Sequence, residues 1–167
     1  MLLFETNTEK VLEIFVKKPT EEFKYRELTK ITKLGSSTIK RALSILIKRN
    51  LIKKIKTKNH PYYQANRESK EFKTIKIFYT LNEINKEIDK IIEKTRPTCI
   101  VLFGSASKGE DTENSDIDLF IQSQKKEISL DRKINILFEP DIKKINKELL
   151  NNLANGITLY GFLEVKA

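Results

Sequence analysis

The sequence is most informative where a continuous apolar run meets a glycine-rich loop. Residues 98–103 read T-C-I-V-L-F, and residues 104–109, G-S-A-S-K-G, follow directly. An apolar run of this length without polar interruption is typical of a strand buried on both faces. After a short acidic stretch the chain continues as S-D-I-D-L-F at residues 115–120. This region therefore predicts a buried strand, a turn and a second strand that carries two carboxylates.

The two carboxylates belong to Asp116 and Asp118, which are two residues apart. On a strand such residues project to the same side, so Ile117 and Leu119 are expected to face the core. Two carboxylates on one face repel each other unless a cation lies between them. Oxygen ligands suit Mg²⁺ or Mn²⁺, so the spacing predicts a divalent-cation site.

The glycine loop has two simpler interpretations. Gly104 and Gly109 enclose four residues, as in a P-loop, but that motif continues with Lys and then Ser or Thr. Here Glu110 and Asp111 follow, and their carboxylates would repel a phosphate, which excludes a P-loop. A plain turn with unrelated surface acids remains the simple alternative.

The whole string G-S-A-S-K-G-E-D-T-E-N-S-D-I-D-L-F resembles the signature of DNA polymerase beta-like nucleotidyltransferases, in particular the minimal ones of bacteria and archaea. The resemblance implies an α/β domain with a mixed sheet. It also implies transfer of a nucleoside monophosphate from a nucleoside triphosphate to a hydroxyl acceptor, with Mg²⁺ (or Mn²⁺) as cofactor. In that family Asp116 and Asp118 would be the catalytic metal ligands, and Gly104, Ser105 and Lys108 would bind the nucleotide. Small relatives in toxin–antitoxin pairs modify a partner protein, so the resemblance makes a protein acceptor plausible.

One residue departs from the family pattern. Active members usually carry a third carboxylate on a following strand, as metal ligand and general base. The candidate strand is K-I-N-I-L-F at residues 133–138, and its alternation puts Asn135 at the matching place. An amide cannot accept a proton as a carboxylate does; Asp131 and Glu139 are the nearby substitutes. The sequence favours an enzyme and leaves open a regulator whose degenerate domain only binds nucleotide or mediates dimerisation.

The first part of the chain has a different pattern. Residues 8–17 and 25–33 have helical spacing, and Ser36 and Ser37 are expected to cap a third helix that runs to about residue 49. Residues 51–57 and 62–65 then predict a hairpin. This order is similar to that of winged helix-turn-helix domains, which implies binding to double-stranded DNA through the third helix and the wing. The residues expected to contact DNA are Ser36, Ser37, Thr38, Lys40, Arg41, Ser44 and Lys58.

The distribution of charge agrees with a polyanionic partner for this part. Residues 1–70 contain 17 Lys and Arg but 7 Asp and Glu, whereas residues 71–167 contain 15 and 16. The basic excess lies in the first part, where nucleic-acid contact is expected. The alternative is a module that binds protein and whose lysines are only solvated.

A helix without Gly or Pro is expected between the two parts. Its residues Ile77, Leu81, Ile84, Ile88 and Ile91 are spaced by four and three, as in a heptad. This seam is open to two interpretations, a helix packed on its own domains or the interface of a homodimer.

The sequence thus predicts an α+β protein in three parts. They are a winged helix-turn-helix domain at residues 1–67, a linking helix at residues 68–95 and a minimal nucleotidyltransferase domain at residues 96–167. No apolar run approaches the roughly 20 residues that cross a bilayer, and a single cysteine excludes an internal disulfide. We therefore expect a cytoplasmic protein with no membrane contact.

Overall fold

The structure is a computed structural model that describes residues 6–56, 60–130 and 133–163. The chain divides into two compact units, Met1–Tyr79 and Thr80–Ala167. Each unit has a hydrophobic core of its own. No helix within the described ranges has both the length and the apolar character needed to span a membrane.

The first unit begins with a helix held by a reciprocal cap. Helix α1 covers Asn7–Lys17. The Thr6 side chain accepts a hydrogen bond from the backbone N–H of Glu9, and the Glu9 carboxylate accepts one from the backbone N–H of Thr6. This capping box satisfies two backbone donors that the first turn would leave unpaired. The buried residues recur at helical spacing and are Val11, Leu12, Phe15 and Val16.

Two further helices and a small sheet complete this unit. The elements are β1 (Phe23–Lys24), α2 (Tyr25–Thr32), α3 (Ser36–Lys48), β2 (Ile52–Ile55) and β3 (Tyr62–Ala65). The strands form an antiparallel sheet in the order β1-β3-β2. The apolar stripe expected on α3 is fully buried and consists of Ile39, Ala42, Leu43 and Leu46. These helices and the hairpin therefore share one core.

The start of α3 differs from the expectation in one detail. Ser36 is already the first helical residue, and Gly35 is the N-cap, with no side-chain hydrogen bond. The expected capping role of Ser36 and Ser37 is therefore wrong. The reason is that Lys33, with a φ of 56°, already turns the chain out of α2, so the next helix begins early.

Helix α4 covers Lys70–Thr95, 26 residues, or about 39 Å at the usual rise. Phe72 lies in the core of the first unit, whereas Ile84, Ile88 and Ile91 lie in the core of the second. These three seam residues are at most 7% exposed. The seam is therefore used within the chain, and the part at Ile84–Ile91 is not available to a second copy.

The second unit is built on a four-stranded mixed sheet. Its strands are β4 (Cys99–Phe103), β5 (Ile117–Ile121), β6 (Ile134–Phe138) and β7 (Ile157–Gly161). Their order is β6-β5-β4-β7, and only β5 and β6 are parallel. Two short 3₁₀ helices, Ala106–Lys108 and Ile142–Lys144, and helix α5 (Lys147–Ala154) complete the unit. This arrangement agrees with the expected α+β class and mixed sheet.

The sheet is covered on both faces, as the uninterrupted apolar run of β4 predicts. Ile100 and Leu102 pack in the cluster that contains the buried residues of α4. Cys99 and Val101 pack on the opposite face with Leu153 of α5. All four strand residues are fully buried. The apolar core thus fixes strand β4, from which the loop at Gly104 departs.

Candidate functional site

The loop after β4 is a tight turn that only glycine accommodates easily. Gly104 has a φ of 72° and Gly109 one of 67°, in the left-handed region. The backbone carbonyl of Ser105 accepts hydrogen bonds from the N–H groups of Lys108 and Glu110, at 3.1 and 3.0 Å. The Ser107 hydroxyl donates to the carbonyl of Gly104 at 2.8 Å. The turn is therefore held by its own backbone and returns the chain towards β5.

Asp118 lies directly against Gly104. It is paired with Phe103 in the antiparallel register of β4 and β5, so its side chain stands beside the residue that follows Phe103. A Cβ at position 104 would lie 2.6 Å from Oδ2 of Asp118. The missing side chain of Gly104 is thus what makes room for this carboxylate.

Asp116 precedes β5 and is held by a short turn. The backbone N–H of Thr112 donates to the Ser115 hydroxyl at 2.9 Å, and the N–H of Ser115 donates to the carbonyl of Thr112 at 3.2 Å. Oδ1 of Asp116 lies 2.7 Å from the ammonium nitrogen of Lys133. That oxygen is closed off from solvent and takes part in no aligned hydrogen bond within the described residues, so the contact is an ion pair.

Asn135 lies beside Asp118 on the neighbouring strand. The parallel register pairs these two residues, and the amide nitrogen of Asn135 donates to Oδ1 of Asp118 at 3.1 Å. The structure therefore places Asn135 where the sequence analysis expected it, next to the paired carboxylates. Glu139 follows the far end of β6, where its carboxylate accepts the backbone N–H of Asp141. Asp131 lies outside the described residues.

Asp116 and Asp118 therefore each contact one residue at the start of β6. The register that opposes Ile117 to Ile134 puts Asp116 beside Lys133 and Asp118 beside Asn135. Asp118 and Asn135 lie within these strands, whereas Asp116 and Lys133 each directly precede theirs. Lys133 does not follow from a motif of the sequence, and only the parallel pairing of β5 with β6 brings it to Asp116.

A pocket of about 640 Å³ opens beside the glycine turn. Its lining includes Gly104, Ser105 and Lys108, the three residues expected to bind a nucleotide. Asn152 of α5 and Asn155, which caps the C-terminus of this helix, also line it, and neither was expected from the sequence. Their spacing of three residues at a helix end puts them on one side, which is the signal that could have found them.

Residues 86–160 match the family model described as polymerase beta, nucleotidyltransferase. This match supports the nucleotidyltransferase superfamily for the second unit, as the motif around Gly104 and Asp118 indicated. It begins inside α4 and ends in β7, so it includes residues of all four strands of the sheet. No curated protein matches the chain in sequence.

Nucleotidyltransferases of this family generally use a nucleoside triphosphate and a divalent metal, so the donor set must be compared with such an ion. No group of three or more His, Cys, Asp or Glu side chains in the described ranges could hold a metal by itself. Mg²⁺, however, is commonly bound by one or two carboxylates and completed by water and substrate phosphates. Asp116 contacts Lys133, Asp118 contacts Asn135, and Gly104 leaves space at Asp118. The donor types of Asp116 and Asp118 therefore suit Mg²⁺ only when water or a substrate phosphate supplies the remaining oxygen ligands.

A second surface lies on α3 of the first unit. Six of the seven residues expected to contact DNA are described, and all lie on α3 away from its buried stripe. Thr38 is half-buried, and the exposed ones are Ser36, Ser37, Lys40, Arg41 and Ser44. An open pocket of about 420 Å³ separates Thr38 and Arg41 from Asn7 and Thr8 of α1. Lys58, the expected wing residue, lies outside the described residues.

Proposed function

We propose that the protein is a nucleotidyltransferase that transfers a nucleoside monophosphate from a nucleoside triphosphate to a hydroxyl acceptor and carries a DNA-binding domain. The observation that carries the first part is the position of Asp118, whose carboxylate lies against Gly104, a residue that lines the pocket. The family match over residues 86–160 supports the same activity.

The residues of the site have distinct roles in this proposal. Asp116 and Asp118 hold Mg²⁺ or Mn²⁺, which when bound neutralises charge on the triphosphate and on the leaving pyrophosphate. The left-handed turn at Gly104 brings backbone close to the nucleotide, and the Ser105 hydroxyl donates to a phosphate oxygen. Lys108, which is exposed at the pocket, adds a positive charge for the phosphates.

The acceptor hydroxyl must lose a proton, and Asn135 is not a base. Its amide donates to Asp118, so it orients that carboxylate rather than receiving a proton. A hydroxyl on a partner protein is a suitable acceptor, because a partner can bring its own base to a site that lacks a third carboxylate.

The transfer is tested with the full chain, α-labelled nucleoside triphosphates, Mg²⁺ and an extract of the source cells. Transfer of label to a macromolecule that is lost in Asp116→Ala and in Asp118→Asn supports the proposal. Asp141→Asn, which changes an exposed carboxylate beyond the far end of β6, is the matched control and should transfer normally. Transfer that persists in both site variants would refute the assignment.

A second candidate function is favoured by Asn135. With an amide donor in place of the third acid, the domain would bind a nucleotide as a signal and regulate the DNA-binding domain. In this case the same preparation binds a nucleoside triphosphate with Mg²⁺ but transfers no label, and bound nucleotide changes the affinity for DNA. Transfer of more than one nucleotide label per molecule of protein would exclude this candidate.

The DNA-binding part rests on the first unit. We propose that its order of elements, α1-β1-α2-α3-β2-β3, is a winged helix-turn-helix domain whose α3 enters the major groove. The buried stripe of α3 holds the helix to the core and leaves Lys40 and Arg41 exposed. Such a surface contacts phosphates and base edges.

Double-stranded DNA binding is tested by titrating a mixed-sequence duplex at several salt concentrations. Replacing Lys40 and Arg41 with Ala should weaken binding and reduce the slope of log K against log salt by up to about 2, since each lost phosphate contact removes about 0.9. The charge-matched control replaces Lys86 and Lys147, two exposed lysines of the second unit. Equal effects of the two double variants would refute the assignment of α3.

A further inference from the structure

We infer that Lys133 is a tethered cation that occupies the metal-binding side of Asp116 and must be displaced before a divalent ion binds. The inference rests on the cation site of the proposed function and concerns how that site is regulated. It assigns a role to a residue outside the glycine turn and the D-x-D motif. It follows from the contacts of Asp116 and from the strand that supplies Lys133.

The first observation is the state of the Asp116 carboxylate. The side chain is 42% exposed as a whole, yet its Oδ1 atom is closed to solvent. The ammonium nitrogen of Lys133 lies 2.7 Å from this atom. An oxygen that is paired with an ammonium at this distance cannot coordinate a metal ion until the ammonium moves away.

The second observation is the freedom of Lys133 to move. Its side chain is 80% exposed, and the Asp116 contact is an ion pair without an aligned hydrogen bond. Exposed ion pairs contribute little because solvent screens them and the long side chain loses entropy. Lys133 is therefore held weakly enough for a divalent cation, with twice its charge, to replace it.

The third observation is that both carboxylates have a neighbour in residues 133–135, at the start of β6. Lys133 neutralises Asp116, and the Asn135 amide donates to Asp118. Together the two contacts relieve the repulsion between the carboxylates in the absence of metal. Lys133 thus raises the metal concentration at which the site fills and favours ions that arrive bound to a triphosphate, whose negative charge offers the released ammonium a new partner.

The experiment measures Mn²⁺ binding to the full chain without nucleotide, by the loss of the electron paramagnetic resonance signal of free Mn²⁺. Lys133→Met should bind Mn²⁺ about two- to fivefold more tightly than the unaltered chain, the range that an exposed ion pair contributes. Lys133→Arg should keep the original affinity, because it keeps the charge at the same place. The substitutions are at an exposed side chain, so the fold should persist.

The control is Lys143→Met, which removes the same charge from an exposed position. Lys143 lies beyond the other end of β6, a strand of five residues that spans about 16 Å. The affinity of the Lys143→Met variant for Mn²⁺ should equal that of the unaltered chain. If Lys133→Met and Lys143→Met have the same affinity, Lys133 has no special role, although the cation site stands. If Lys133→Met binds Mn²⁺ no more tightly than the unaltered chain, this inference is wrong; if no variant retains Mn²⁺ at millimolar concentration even with a nucleoside triphosphate present, the cation site is wrong as well.

Discussion

Replacing Gly104 with Ala tests the physical basis of the site most directly. The residue has a φ of 72°, a conformation that costs an L-residue about 1–2 kcal/mol relative to Gly. The new Cβ would lie 2.6 Å from Oδ2 of Asp118, and an ordinary contact begins at 3.4 Å. Because this oxygen ends a movable side chain, the carboxylate should rotate away and the backbone should stay.

Two quantities should therefore change together in Gly104→Ala. Urea unfolding followed by circular dichroism should show a loss of about 1–2 kcal/mol in the free energy of unfolding. Binding of a fluorescent nucleoside triphosphate with Mn²⁺ should weaken by about tenfold or more, since displacements near 1 Å cost about that much or more at organised sites.

The control is Gly35→Ser, whose side chain would enter open space at the N-cap of α3. Serine is at least as good an N-cap as glycine, so neither the free energy of unfolding nor nucleotide affinity should fall. A Gly104→Ala protein that loses stability but keeps full nucleotide affinity would show that the position of the Asp118 carboxylate does not matter for binding. That result would refute the reasoning.

Three further outcomes are expected. Asn135→Asp puts a second carboxylate beside Asp118, so the melting temperature should fall in EDTA and recover with Mn²⁺. Label transfer should rise in the same variant. A melting temperature that does not change with Mn²⁺ would contradict this reasoning. Ile84→Ala should lower the free energy of unfolding by about 2–5 kcal/mol in urea, because Ile84 is 1% exposed in the core; a change in oligomeric state at unchanged stability would instead favour a dimer seam. Burial raises the pKa of the Cys99 thiol, so its thiolate fraction at pH 8.5 is lower than that of an exposed cysteine. Iodoacetamide should therefore react slowly with the folded chain and quickly in urea. Equal rates would show that Cys99 is accessible.

The parts of the structure that follow from local periodicity could be predicted from the sequence. The buried strand before Gly104 and the stripe on α3 each depend on side-chain periodicity over a few residues. The position of Asn135 beside Asp118 also follows, because its strand alternates clearly between Ile134 and Phe138.

Features that depend on pairing between distant segments could not be predicted in this way. The ion pair between Lys133 and Asp116 requires the register of two parallel strands, which no local pattern contains. Strand β1 has only two residues and therefore no period to detect. The spacing of Ile84, Ile88 and Ile91 does not reveal whether their partner is a second helix or a sheet of the same chain.

The pairing of β7 with β4 has a consequence for biosynthesis. The backbone of Gly161 passes so close to Thr98 that a Cβ would lie 1.9 Å from the Thr98 carbonyl oxygen. Strand β4, the most apolar of the sheet, obtains this neighbour only after residues 157–161 have left the ribosome. Until then the nascent chain displays an unpaired apolar edge, which is the kind of surface that chaperones protect and that aggregates when translation stops early.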